Sequence, residues 1–372
     1  MGSEMCIRDR MLIGVPTEIK NNEYRVGLTP DSVSSIVNSG HTVFIQKGAG
    51  LGIGFTDENY TNSGALIINS AKEVYQKSEL IIKVKEPVES EYEYLHKDLT
   101  LFTYLHLAAD SDMAKKFIET GVRGIAYETV TSDDGSMPLL APMSAIAGQI
   151  SIVVGSYHLL KHNKGKGVLI GGMNDIAPRT ISIIGGGVAG TEALSKALDN
   201  KAHVKVIDLS QKRLDELKEK FGTNNMEYIL STPESIKDAV SESDLVIGAV
   251  YIPGKEAPQI VTSEMISNMK PGSVIVDISI DQGGCIETSN PTTHDAPTFL
   301  VNDVVHYCVT NMPGAVPLTA TLALNKATLS YILEIANNGI ETTLNKNPHI
   351  KNGLNCENGQ PKHPGVLEIF NK

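Results

Sequence analysis

Short apolar runs recur along nearly the whole chain, separated by stretches of mixed polarity. In the first third they are MLIGV from Met11, HTVFIQ from His41, LIIKVK from Leu80 and LTLFTYLH from Leu99. The segments Pro30–Asn38 and Asp112–Thr120 between them read as helices. Nearly unbroken apolar strands alternating with helices predict a parallel sheet covered on both faces. The segment Pro142 to Leu160 is small and apolar throughout and predicts a mostly buried helix linking two domains. A second alternating series follows, with strands TISIIGG, HVKVIDL, EYILS, DLVIGAV and SVIVDISI, and Leu318–Asn337 then predicts one more long helix.

The expected fold is therefore α/β, with two doubly wound parallel-sheet domains of Rossmann type and a cleft between them. Residues 11–140 with 318–372 would form the first domain and 141–317 the second. No internal repeat is strong enough to assert, and the tail beyond Asn345 is Asn-rich and hard to read. A length of 372 residues suits two domains. Residues 1–10 (MGSEMCIRDR) match nothing that follows, so they are expected to be a non-native leader.

Composition narrows the function only slightly. A net charge of −11 argues against a nucleic-acid or acidic-membrane surface. No apolar run approaches the ~20 residues that span a bilayer. Cys6, Cys285, Cys308 and Cys356 form no CxxC pair and no cluster with histidine, so no metal is expected. Sparse cysteines fit a reducing compartment, and cytoplasm is the default.

The strongest chemical signal is the run Gly185-Gly186-Gly187-Val188-Ala189-Gly190, which closes a strand and opens a helix as G-x-G-x-x-G. The glycines serve different mechanical ends. Gly185 permits the tight turn, Gly187 lets backbone approach a pyrophosphate, and Gly190 allows close packing of the helix. The helix N-terminus then offers free N–H groups to phosphate. Asp208 closes the next strand, eighteen residues after Gly190. Its carboxylate would bind the ribose hydroxyls and repel a 2′-phosphate, favouring NAD over NADP. A glycine turn that merely packs strand on helix lacks the spaced acid.

Four ionisable residues stand near strand ends, where doubly wound sheets bind ligands. Arg25 lies in EYRVGLTP, Lys85 ends LIIKVK, His106 ends LTLFTYLH, and Asp281 ends SVIVDISID ahead of Gly283-Gly284. Each also has an ordinary structural reading. Arg25 could be a paired surface charge and His106 a hydrogen-bonded core residue. Asp281 could initiate a turn, and Lys83, on the same face as Lys85 by period two, is a rival to it.

The segments IGVPTEIKNNEYRVGLTP, KVKEP, LFTYLHLA, APMSAIAG, DLVIGAV, VDISIDQGGC and NMPGAVPLTAT closely resemble the alanine dehydrogenase family, in order from Met11 to about Asn345. The resemblance implies reversible NAD-dependent deamination of L-alanine to pyruvate and ammonia, by a homohexamer. It casts Arg25 and Lys85 as substrate binders and His106 and Asp281 as the acid–base residues. Cofactor contacts would come from Ser144, Gly185, Gly187, Val188, Ala189, Gly190, Asp208, Arg213, Ser231, Val250, the stretch Ile278 to Asp281, Asn311 and Met312. Tyr24, Gly27, the loop GGMNDIAPR and Asp199-Asn200-Lys201 depart from the family pattern. Three other readings compete: the soluble NAD-binding subunit of a proton-translocating transhydrogenase, a non-catalytic NAD-binding scaffold, and a saccharopine- or lysine-type dehydrogenase with a larger pocket. The union of Arg25, Lys85 and His106 argues against the first two.

Overall fold

The computed structural model describes residues 10–252 and 256–370. The expected leader lies outside the described residues except for Arg10. The chain divides into two compact units, 10–142 with 316–370, and 143–315.

In the first unit, six strands run parallel: β1 (Leu12–Val15), β2 (Thr42–Gln46), β3 (Leu66–Ile68), β4 (Leu80–Ile82), β5 (Thr100–Thr103) and β6 (Arg123–Ala126), in the order 6-5-4-1-2-3. β4 and β5 are buried at every position, the signature of strands sandwiched between helices. The helix Pro30–Asn38 shows how the flanking elements are specified. Thr29 caps it by accepting from the Ser32 amide, proline fills its first turn, and Val33 and Ile36 face the core. β3 and β6 were not read from the sequence. Both are short, and β3 is only half-buried.

The second unit carries β7 (Thr180–Ile184), β8 (His203–Asp208), β9 (Met226–Leu230), β10 (Leu245–Gly248), β11 (Val274–Asp277), β12 (Thr298–Val301) and β13 (Val304–Tyr307). Their order is 12-13-11-10-7-8-9, with β12 antiparallel and the rest parallel. Counting the parallel strands of each unit from its own start, both sheets have the order 3-2-1-4-5-6. The tail that sequence patterning left unread returns to the first unit as β14 (Leu354–Glu357) and β15 (Gln360–Pro361), antiparallel additions beyond β6. The helix Ala141–His158 is less buried than expected: Gln149, Val153 and Tyr157, four residues apart, form an exposed stripe. No helix among the described residues is long and apolar enough to cross a membrane.

The long helix Pro317–Asn338 is tied to the loop after β1 by buried polar groups. Asn325 accepts from the Thr29 amide at 2.8 Å and donates to the Gly27 carbonyl at 3.2 Å, while Thr321 accepts from the Val26 amide. Gly27, one of the departures from the family pattern, lies tightly against the end of β4. A Cβ there would stand 2.5 Å from the Ile82 carbonyl oxygen.

The same loop takes part in a buried ionic network. Glu18 accepts from the Val84 amide at 2.6 Å and from Lys83 Nζ at 3.1 Å. Lys83 also reaches Glu91 at 3.2 Å, and Glu91 accepts from the Tyr75 hydroxyl and the Val88 amide. Burial alone would push the Lys83 ammonium toward neutrality, but Glu18 and Glu91 more than offset it and keep its pKa above the ordinary value. Lys83 is 1% exposed, so the rival that period two sets beside Lys85 lies in the interior with both of its carboxylate partners. Lys83→Met should destabilise the first unit by about 3–5 kcal/mol, because two carboxylates would be left buried without their cation. Urea unfolding of the variant against wild type measures the loss.

Candidate active site

Both sheets reverse direction of strand winding between their first and fourth strands, β1 beside β4 and β7 beside β10. Doubly wound sheets bind ligands at the carboxyl ends beside that switch point. In the first unit the three polar candidates follow three neighbouring strands: Arg25 comes after β1, Lys85 after β4 and His106 after β5.

Arg25 is buried, and Glu23 grips one edge of its guanidinium, accepting from Nε at 2.7 Å and from Nη2. The same carboxylate accepts from the Arg25 amide at 3.1 Å, which fixes the side chain against its own turn. Lys85 stands two residues beyond the buried Lys83 and is partly exposed, its side chain at 14%. The strand is shorter than its apolar pattern suggested, so both lysines lie past its end rather than within it.

His106 occupies the left-handed region, with φ 48° and ψ 31°. That conformation is uncommon for a residue with a Cβ and costs on the order of 1–3 kcal/mol. The strain is held in place by Glu128, whose carboxylate accepts from the His106 amide at 2.6 Å and from the Leu105 amide at 3.2 Å. The imidazole stacks on the buried Tyr104 ring, with centroids 5.8 Å apart and planes 12° from parallel. Tyr104 is itself anchored, donating to the Leu139 carbonyl at 2.5 Å.

Sequence reasoning missed Glu23 and Glu128, which accept hydrogen bonds from Arg25 and from the His106 amide, and it missed the neighbouring Glu86. Glu86 is buried, adjacent to Lys85, and ion-paired with Lys20. Its position beside Lys85 in KVKEP was the available signal. An acid next to a lysine in a loop, however, is ordinarily a surface pair.

In the second unit the glycine run behaves as its spacing predicts. Gly185 has φ 103°, and a Cβ on it would meet the Ala249 carbonyl oxygen at 2.4 Å. A Cβ on Gly190 would lie 1.8 Å from the Gly185 carbonyl oxygen, so the helix Val188–Asp199 rests directly on the turn. Around Gly187 a Cβ would find nothing within 4 Å. That glycine caps the helix without any side-chain hydrogen bond to the first-turn amides, so the open side of this turn forms a cradle of backbone donors. An anion such as a pyrophosphate fits that cradle.

Asp208 ends β8 and accepts from the Gly186 amide at 2.7 Å and the Ser210 amide at 2.8 Å. Arg213 donates from Nε to the Gly186 carbonyl and from Nη2 to the Thr191 hydroxyl, both at 2.8 Å. Acid and base thus hold the two polar groups of one glycine, and the loop is organised by the protein alone.

The remaining candidates line the same sheet edge or lie close to it in sequence. Ser231 follows β9, with its amide donating to the Asp208 carbonyl at 2.9 Å, and Val250 follows β10. Ile278 opens the short turn after β11, and Ser144 lies in the helix Ala141–His158. Asn311, at φ 63°, precedes the buried Met312.

Asp281 requires a correction of place. β11 stops at Asp277, four residues earlier than the run SVIVDISID suggested, and Asp281 sits exposed in the turn Ile278–Gln282. The turn-initiating role considered for Asp281 belongs to Asp277. That buried carboxylate accepts from the Ser279 amide at 3.0 Å and the Cys285 amide at 3.1 Å. Asp281 Oδ1 accepts instead from the Asn311 amide at 3.3 Å. Burial pushes the Asp277 carboxyl above the ordinary range despite those donors.

Comparison with known proteins agrees with this layout. The model of the alanine dehydrogenase/PNT N-terminal domain matches residues 14–147, and that of the C-terminal domain matches residues 151–364. An alanine dehydrogenase of Staphylococcus haemolyticus is 51% identical over 361 residues, covering 97% of this chain and 96% of that protein. A solved structure of an L-alanine dehydrogenase matches with a TM-score of 0.92 at 47% identity, over 97% of this chain and 99% of that one. A transhydrogenase from Sinorhizobium meliloti matches with a TM-score of 0.79 at 22% identity, over 95% and 99% of the two chains, a likeness of fold alone.

The glycine geometry separates two substitutions that look alike in sequence. Gly190→Ala forces the helix off the turn and should lower stability by about 1–3 kcal/mol, the usual range for overpacking. Gly187→Ala has room and a permissive backbone, so thermal unfolding should stay near wild type while NADH binding weakens. Thermal melts paired with NADH fluorescence titration check both halves. Equal losses of stability in the two variants would remove the open cradle from the argument.

Proposed function

Because the chain belongs to the alanine dehydrogenase/PNT family, we propose that it catalyses the reversible NAD-dependent oxidative deamination of L-alanine to pyruvate and ammonia. The observation that carries this reading is the placement of Arg25, Lys85 and His106 after three adjacent strand ends in a unit separate from the glycine loop. The transhydrogenase alternative shares the fold, but its role as a coupling module gives no reason for a guanidinium, an ammonium and an imidazole to be gathered there.

When bound, NAD supplies the acceptor for the hydride that leaves the α-carbon. The residues of this chain do the rest. Arg25, with its plane fixed by Glu23, and Lys85 hold the substrate carboxylate and fix the α-carbon. Loss of hydride leaves an iminium, to which water adds before ammonia departs, so one group must take and return protons. His106 does that work, because an imidazole can titrate near working pH. Asp281, by resemblance to the family, would orient the amine or the water. Asp208 recognises the adenosine ribose, while the first-turn amides behind Gly187 take the pyrophosphate.

Three measurements test the reading. NADH formation with a panel of L-amino acids should show alanine as the preferred substrate, and no turnover of alanine would end the proposal. NAD should be strongly preferred to NADP. Asp208→Ala should narrow that preference while weakening both cofactors, since the Gly186 amide loses its acceptor. His106→Gln keeps size and hydrogen bonding but cannot relay a proton. Turnover should fall at least about a hundredfold, with melting temperature and NADH affinity close to wild type. A sharp drop in melting temperature with activity per folded molecule intact would make His106 a packing residue.

A further inference from the structure

Glu86 is a buried carboxylate that neither the fold nor the reaction as described makes use of. Oε1 is ion-paired with Lys20, which reaches it from the loop after β1. Oε2 is buried and, among the described residues, accepts no hydrogen bond. Lys85 pairs with it on this side, its Nζ lying 3.8 Å from Oε2, inside ion-pair range but beyond hydrogen-bonding distance. We propose that Glu86 is a positioning residue: its fixed carboxylate holds the Lys85 ammonium by charge alone, which keeps the N–H donors of that ammonium for the substrate carboxylate. The proposal rests on the assignment of Lys85 to substrate binding.

Three physical points support it. A buried carboxylate oxygen without a donor is costly, and natural structures keep few of them, most often where a function uses the deficit. Here the deficit faces a lysine that a direct hydrogen bond would satisfy at the expense of its reach toward a ligand. Second, Glu86 is charged at neutral pH. Burial would raise its carboxyl pKa, but the nearby charges of Lys85, then His106, then Lys20 outweigh burial and hold it below the ordinary range. Third, the carboxylate is immobilised from the other side by Lys20, so it can define a position rather than follow one. Tyr92 also feels this charge and is pushed up to about 12, mainly by burial and next by Glu86, so it remains a neutral phenol. The groups facing Glu86 are thus Lys20, Lys85, His106 and a neutral Tyr92.

Removing the charge should therefore act on pyruvate through Lys85. The test is calorimetric titration of pyruvate into NADH-saturated protein in ammonium-free buffer. Without ammonium no reductive amination occurs, so inactive variants are measurable too. Glu86→Gln should weaken pyruvate binding about tenfold in the wild-type background, within the usual range for coupled neighbours. In a Lys85→Met background the same change should alter binding less than about twofold, because the group that Glu86 positions is gone. Glu86→Asp, which keeps the charge one methylene further back, should fall between wild type and Glu86→Gln. NADH affinity should be unchanged throughout. A merely structural role would weaken pyruvate equally in both backgrounds, and that additivity would overturn the proposal, as would unchanged binding in Glu86→Gln. Should Glu86→Gln fail to fold, Glu86→Asp carries the same comparison in both backgrounds. Wild-type protein that binds pyruvate but does not turn over alanine would count against the reaction alone.

Discussion

A parallel strand covered by helices on both faces leaves charged side chains little room except at its ends. That constraint organises both units. β4, β5, β10 and β11 are buried at every position, so the central strands offer no exposed polar face of their own. The chain's reactive groups are consequently pushed into the turns that follow the strands, and the strand order decides which turns are neighbours. With the order 3-2-1-4-5-6 in each sheet, the turns after the first, fourth and fifth strands come together. In one unit they carry Arg25, Lys85 and His106. In the other the turns after the first and fourth strands bring Gly185 against Ala249. On the proposed function, the same scaffold would serve two ligand chemistries, one built from side-chain charge and the other from backbone amides.

Charge placed in such turns is largely buried, and burying it without a partner is expensive. The structure answers each case with a carboxylate. Glu18 and Glu91 neutralise Lys83, Glu23 holds Arg25, and Glu86 stands behind Lys85. The geometry of those pairings differs in a way that separates scaffold from site. Lys83 is enclosed by two close carboxylates and has no exposed surface to offer. Lys85, on the same face of the extended segment, faces one carboxylate at a distance that does not bind its protons. Two lysines that sequence periodicity treats as equivalent are divided by the depth to which each is buried.

Much of this was legible in the residues. Long apolar runs located the central strands, because burial on both faces leaves no other composition possible. The glycine run with Asp208 specified its own geometry, because turn, open approach and close packing each exclude a side chain in a distinct way. Less legible were the short strands, among them the interior β6 and β13, each of four residues with polar or glycine positions, and several edges. β3, β12 and β15 are short and only partly buried, so their composition is not constrained enough to stand out. The misplacement of Asp281 has the same root. Ile278 and Ile280 continue the apolar pattern of β11 past its end, although the Asp277 side chain has already turned the chain. The supporting carboxylates were missed for another reason: their partners are distant in sequence or sit in loops where a charged pair is unremarkable. The common strand order of the two units left no repeat in the residues, since packing restricts polarity and size at each position but not identity.

The backbone at His106 bears on whether that residue is a working group or core filler. A histidine recruited only to fill space and satisfy a hydrogen bond gains nothing from a left-handed conformation, which an extended or helical residue avoids at no cost. Here the unfavourable torsion is enforced by two independent devices. Glu128 binds the amide that the turn leaves without a strand partner, and Tyr104 offers a flat, anchored surface that sets the plane of the ring. Neither device needs the imidazole nitrogens, so both fix the ring's position without engaging its protonation sites. Strain of this kind persists where the surroundings over-determine it. What the surroundings determine at His106 is the direction of a titratable group at the end of β5, beside the turn that carries Lys85 and Glu86. The proton-transfer role proposed for His106 calls for such a ring, held in place by its face and its backbone.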